Sequence, residues 1–220
     1  MMKMVFFSLF VLSSIVLFSQ ENSRIDKPSL MEKGFRKEVG IGIGYPFPVN
    51  DGATGKFGLS GELKISYSLN PRTDFIFGVE VNQLRQEKDT LIFTSSTACK
   101  DAKINSWYLT VPLLFSFNLI DNRNWSLFAG AYTGIRLSAK TSGIFYDPGD
   151  DSAPRYDMSK DAPLTKVDFG LDLGFAYRFV MMDKYYMTIK PRYRYGLIKL
   201  LENENEIYNR GFQLMLSVKL

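Results

Sequence analysis

Val167-Asp168-Phe169-Gly170-Leu171-Asp172-Leu173-Gly174-Phe175-Ala176-Tyr177-Arg178-Phe179 alternates without interruption. Its odd positions are all large and apolar, and its even positions are acidic, basic, glycine or alanine. A period of two belongs to an extended strand, whose successive side chains point to opposite faces. The segment is longer than the ~5–6 residues of a typical soluble strand and suits a tilted membrane crossing of about 9–11 residues.

Seven further segments carry the same pattern. The first sets Val39, Ile41, Ile43, Tyr45, Phe47 and Val49 against Glu38, Gly40, Gly42 and Gly44, and the second sets Phe57, Leu59, Leu63, Ile65, Tyr67 and Leu69 against Lys56, Gly58, Glu62 and Lys64. The third pairs Phe75, Phe77, Val79 and Val81 with Asp74, Gly78, Glu80 and Asn82, with Ile76 as an apolar exception. The fourth runs Trp107, Leu109, Val111, Leu113, Phe115, Phe117 and Leu119, and the fifth runs Trp125, Leu127, Ala129, Ala131, Thr133, Ile135 and Leu137. The last two set Met187, Ile189, Pro191, Tyr193, Tyr195 and Leu197 against Lys190, Arg192 and Arg194, and Phe212, Leu214, Leu216, Val218 and Leu220 against Gln213, Ser217 and Lys219. No charged residue stands on the apolar face of any segment, although charged residues make up 23% of the chain. Contact with lipid explains this, because Lys or Arg at mid-bilayer costs about 2–4 kcal/mol.

A soluble sandwich or lipocalin-like barrel also alternates, but with its apolar face inward. Three features favour the membrane arrangement. Glycines cluster on the polar face, which suits a crowded lumen. Aromatic residues gather near strand ends, with Tyr67, Phe75, Trp125, Tyr177 and Phe179 at one rim and Phe47, Trp107, Tyr193, Tyr195 and Phe212 at the other, like two interfacial girdles. The links alternate in length: 70–73, 120–124 and 180–184 are tight, whereas 86–102, 141–165 and 198–209 read as long loops and only 50–55 is short on that side. Outer-membrane barrels have short periplasmic turns and long outer loops. The expected fold is all-β, an eight-stranded antiparallel up-and-down transmembrane barrel over 38–220. Pro112 and Pro191 lie inside strands and remove ladder donors, so a bulge or local bend is expected at each.

Upstream, Lys3 precedes an apolar run over 5–18, followed by Ser19 and Gln20. This is the layout of a cleaved signal peptide over 1–20, and the run is short for a membrane helix. The polar, aperiodic stretch 21–37 reads as a short periplasmic leader. Export and the strand pattern together place the protein in the outer membrane of a Gram-negative cell. The formal charge is +4, but an exported chain does not meet nucleic acid, and much of the basic charge lies on the lumen face. The partners implied are outer-membrane lipid and lipopolysaccharide, with a protein partner that the sequence does not name.

The chain has no histidine and one cysteine, Cys99. It therefore lacks the commonest general base and metal ligand and can form no internal disulfide; no catalytic set, metal site or cofactor is expected. The glycines at 40, 42 and 44 have the wrong spacing and context for a phosphate loop. Asp147, Asp150, Asp151, Asp157 and Asp161 lack the ligand order of a calcium loop and read as a solvated acidic loop. The lumen face carries the acids Glu38, Glu62, Asp74, Glu80, Asp168 and Asp172 and the bases Lys64, Arg136, Arg178, Lys190, Arg192, Arg194 and Lys219. Unpaired buried charges are costly, so these side chains should form a structural ion-pair network filling the lumen. Asp168 and Asp172 in particular should pair with bases from Arg178, Lys190, Arg192 and Arg194. Three function classes follow: a structural or partner-binding barrel, a small-solute or ion channel, and a lipid-modifying enzyme, the last weakened by the missing histidine.

Trp107-Tyr-Leu-Thr-Val-Pro-Leu-Leu-Phe-Ser-Phe117, a short turn, and Leu127-Phe-Ala-Gly-Ala-Tyr-Thr-Gly-Ile-Arg-Leu-Ser-Ala-Lys140 resemble the central hairpin of the PorT-like outer-membrane β-barrel family. The resemblance rests on Leu109, Pro112, Leu113, Leu114, Gly130, Tyr132 and Gly134; the segment 169–179 also resembles that family's sixth strand. It implies an outer-membrane barrel. Some members of that family assist secretion, so a role linked to secretion or surface assembly is among those implied.

Overall fold

A computed structural model describes residues 34–47, 53–94, 97–119, 124–149, 156–162, 164–181, 185–199 and 208–220. The expected signal segment, most of the leader, Val49, Asp150 and Asp151 lie outside the described residues. The strands are β1 (Phe35–Pro46), β2 (Ala53–Lys56), β3 (Gly58–Asn70), β4 (Thr73–Thr94), β5 (Thr97–Asn118), β6 (Trp125–Tyr146), β7 (Tyr156–Asp161), β8 (Val167–Met181), β9 (Tyr185–Lys199) and β10 (Tyr208–Lys219).

Antiparallel pairing joins β1, β3, β4, β5, β6, β8, β9 and β10 in a ring of eight. The first and last strands close it, from Glu38 opposite Lys219 to Pro46 opposite Gly211. Closure removes the free edges that an open sheet would expose. β1 begins at Phe35, three residues before the strand read from the sequence. The segment expected as one strand over 56–69 is split at Phe57. Lys56 opposes Arg85 but Ser60 opposes Asn82, a slip of one residue in register.

Burial decides which face is inside. Leu113, Leu171 and Leu173 are 49%, 49% and 61% exposed, whereas Glu80, Arg192 and Arg194 are each 1% exposed. The apolar face is therefore outside and the charged face inside, the opposite of a soluble barrel. Aromatic residues pair along both ends of this outer face. Trp125 packs tilted on Tyr177, which stacks on Phe179, at the end where β10 finishes, and Phe47 stacks on Tyr193 at the other. Ile76, the apolar exception, packs inward against Leu114, Phe128 and Ala176.

Two expectations are corrected. The stretches 86–102 and 141–165 are not simply loops. β4 and β5 continue as one hairpin with Leu91 opposite Cys99, β6 runs on to Tyr146, and β7 adds to its edge with Lys140 opposite Asp161. This protrusion has its own apolar core, including Leu91, Cys99, Ala102, Ile104, Phe145 and Leu164. The two faces exchange character there. Outward positions become polar at Gln83, Arg85, Asn105 and Lys103, and inward ones become apolar, as in a soluble sheet. Of the bulge or local bend expected at each proline, the bulge is absent. Phe77 opposite Leu113 and Glu80 opposite Thr110 keep one register across Pro112, as Gly174 opposite Arg192 and Tyr177 opposite Ile189 do across Pro191. Each missing N–H interrupts ladder bonding locally instead of inserting a residue. Register does shift between Trp107 and Tyr108, where β6 moves from Ser138 to Arg136, and between Lys100 and Lys103, beside Asp101 with its φ of 52°.

Candidate functional site

The charged side chains form one continuous chain across the lumen. It starts at Glu38 on β1, whose carboxylate meets Lys190 at 2.9 Å; Lys190 also meets Glu62 at 2.5 Å. Lys64 then links Glu62 at 2.9 Å to Glu80 at 3.0 Å. Glu80 takes a bidentate pair from Arg192, with Nη1 to Oε1 at 2.5 Å and Nη2 to Oε2 at 2.7 Å, and a further bond from Arg194 Nη2 at 2.9 Å. Arg194 ends the chain on Asp172, with Nε to Oδ1 at 2.8 Å and Nη2 to Oδ2 at 2.7 Å. Acids and bases alternate and balance. Fork-to-fork Arg–carboxylate pairs are the strongest and most directional of such contacts.

Strand order explains why this chain spans the lumen. β4, which carries Glu80, and β9, which carries Arg192 and Arg194, are diametrically opposite in the ring of eight. The direct cross-strand neighbours are also present, with Asp172 opposite Arg194. Neutral side chains complete the set. Gln213 accepts from Arg192 Nε at 2.8 Å, and Ser217 donates to Glu62 at 2.6 Å. The Tyr132 ring lies 4.1 Å from the Arg194 guanidinium carbon. Gly170 is required beneath that ring, because a Cβ there would lie 2.7 Å from Tyr132 Cε1.

Five charged residues expected in the lumen network, Asp74 among them, are not part of this chain. Asp168 pairs with no base among the described residues; it accepts from the Asn209 amide at 2.6 Å, because its neighbour on β6 is Gly134 and the β8–β9 ladder ends at Gly170 opposite Gly196. Arg136 is half-buried and donates to the carbonyls of Ala162 and Leu164, tying the outer segment to the barrel mouth. Arg178 sits at the C-terminal end, 3.8 Å from Asp74 and bonded to Asn118 at 3.1 Å. Lys219 lies at the same rim, 5.7 Å from the Tyr186 ring. Arg36, assigned to the leader from sequence, meets Asp74 at 2.6 Å. Its even position in phase with Glu38 was the available signal. Gln213 and Ser217 were also legible as inward, but no rule of charge singled them out.

Two small cavities of about 20 Å³ each flank the charge chain, room for about one water apiece. The inner one is lined by Ser66, Ser116, Thr188, Lys190 and Arg178, the outer one by Asn82, Tyr108, Arg194 and Asn209. The site therefore holds charge in place across the barrel.

A family model described as an outer-membrane protein β-barrel domain matches residues 18–202. The chain belongs to that family. Three solved structures are similar to this outer-membrane barrel at low identity. Ail, the attachment invasion locus protein of Yersinia pestis, is 17% identical, with 86% of this chain and 98% of that one covered and a TM-score of 0.45. Neisserial surface protein A is 15% identical, with 84% and 96% covered and a TM-score of 0.42. The N-terminal barrel of Pseudomonas aeruginosa OprF is 13% identical, with 86% and 98% covered and a TM-score of 0.33. No curated protein matches the sequence.

Proposed function

We propose that this outer-membrane barrel is a non-enzymatic, closed scaffold that presents its β4–β5–β6–β7 protrusion to a partner outside the lipid belt. The observation that carries this reading is the protrusion itself. Its strands continue beyond the apolar belt over a packed core that includes Leu91, Cys99 and Phe145, and Arg136 ties its base to the barrel. A rigid sheet of this kind suits recognition, because it loses little conformational freedom on binding. Conduction is opposed by the ion pairs between β4 and β9. The same reading includes a cleaved signal over 1–20, a leader over 21–37, a barrel over 38–220, surrounding phospholipid and lipopolysaccharide, and membership of the PorT-like branch, where a secretion or surface-assembly role would lie.

Photo-crosslinking in intact cells tests this. A crosslinking residue at Thr90 or Lys100, both exposed on the protrusion, should give discrete protein adducts, whereas the same residue at Leu171 should give lipid only. Absence of protein adducts from either protrusion position refutes the reading. N-terminal sequencing of the protein from membranes should begin after Ser19 or Gln20; a start at Met1 refutes cleavage.

A further inference from the structure

The outward face of the barrel is uncharged along its apolar belt and becomes basic on one side, directly above that belt. Arg85 on β4, Asn105 on β5 and Lys140 on β6 are consecutive cross-strand partners. Lys103 stands on the same outward face of β5, one rung higher. Arg85, Lys103 and Lys140 are exposed, and none makes an ion pair among the described residues. The acids nearby leave them free. Glu87, opposite Lys103, is held by Lys56 at 3.0 Å, and Asp161, opposite Lys140, forms no ion pair with it among the described residues. Arg85 and Lys140 are separated by two strand spacings, about 10 Å, and Lys103 rises about 7 Å above their row. Below them the same strands expose Val111, Ile135 and Leu137. On the far side of the barrel Arg210 is engaged by aromatic rings, its guanidinium 4.1 Å from the Tyr195 ring and 4.3 Å from the Tyr208 ring.

We propose that Arg85, Lys103 and Lys140 bind the phosphorylated sugar headgroup of an outer-leaflet glycolipid, with its acyl chains on the apolar surface of β4, β5 and β6 beneath. The argument is complementarity in two parts. Three cations without an ion-pair partner among the described residues lie within about 10 Å and match a headgroup carrying more than one phosphate; the Arg85 guanidinium donates from Nη1 to the Phe57 carbonyl at 3.4 Å and keeps Nε and Nη2 for two parallel bonds to a phosphate. The adjoining apolar strip fixes the ligand as a lipid, since a soluble phosphate would gain nothing from it. This rests on the barrel being embedded in the outer membrane and is independent of any protein partner at the protrusion tip.

The test uses the full barrel chain carrying W125F, so that Trp107, just below the patch, is the sole tryptophan. It is refolded into nanodiscs of zwitterionic phospholipid. Lipid A, lipid A stripped of its phosphates, and inorganic phosphate are titrated separately, read by Trp107 fluorescence and by the thermal midpoint. Lipid A should shift both readouts, and R85Q/K103Q/K140Q should weaken that response at least about tenfold, the ratio for losing one contact of about 1.4 kcal/mol. K140R should retain it. Stripped lipid A should bind as weakly as the triple variant does. An equal response from the triple variant, from stripped lipid A, or from inorganic phosphate alone would overturn the proposal. If the triple variant gives no heat-shifted band on gels, R85Q and K140Q singly carry the same test. Protrusion crosslinks that persist in these variants separate a failure here from a failure of the partner reading.

Discussion

Replacing Glu80 by Gln removes the acid on which three bases converge, Lys64 at 3.0 Å, Arg192 at 2.5 Å and Arg194 at 2.9 Å. Taking one member from a buried charge pair costs about 3–5 kcal/mol, because the remaining charge stays buried and uncompensated. Here each base keeps a second acid: Lys64 has Glu62, Arg194 has Asp172, and Arg192 has Asp172 at 3.5 Å. The loss should therefore sit near the lower end, about 3 kcal/mol. Adding R192Q restores charge balance, so E80Q/R192Q should be more stable than the sum of the single changes, with a coupling of about 2 kcal/mol, inside the 0.5–3 range for contacting residues. Because the pair is 0% exposed on both sides, raising salt from about 0.05 to 0.5 M should change the coupling little. The assay is reversible urea unfolding in lipid vesicles, followed by tryptophan fluorescence and by the heat-dependent gel shift. A loss below about 0.5 kcal/mol, or no coupling, would refute the reasoning and mean that the lumen charges are hydrated separately.

Further consequences follow from the same geometry. L171R or L113R should destabilise by about 2–4 kcal/mol if the site is near mid-bilayer, measured by folding yield into vesicles; tolerance of both would mean that lipid does not meet this face. D172N should cost more stability than D168N in urea titrations, because Asp172 holds Arg194 through two bonds whereas Asp168 accepts from a neutral amide; equal losses would contradict that ordering. Cys99 should resist a water-soluble maleimide until the protein is unfolded, since it is 0% exposed and burial raises its thiol pKa; rapid labelling of the folded barrel would show that the protrusion core is open.

Much of the barrel was legible because lipid imposes a rule on every strand. An outward face without charge is hard to produce otherwise, and it fixed strand number, phase and the polar interior from Glu38 to Lys219. The protrusion was missed for the complementary reason. Above the lipid the outward face becomes polar and the inward face apolar, so the alternation inverts near Leu84 and Ile104, and the shift beside Ser138 hides its continuation on β6. Residue type alone identified Glu80, Asp172, Arg192 and Arg194 as inward, but their pairing depends on which strands face each other across the ring. That is a property of closure, and it brings Glu80 to Arg192 over a separation of 112 residues. Asp168 was assigned a base by proximity of strands; the ladder instead sets it at the rim beside Asn209.

Single-channel recording in planar bilayers tests the closed scaffold most directly. Glu80, Arg192 and Arg194 bridge opposite walls with alternating charges, so the wild-type barrel should show no steady ohmic opening, and E80A/R192A should introduce one. Steady ohmic openings in the wild type that diminish when Arg192 and Arg194 are neutralised would contradict the account and establish a conducting lumen.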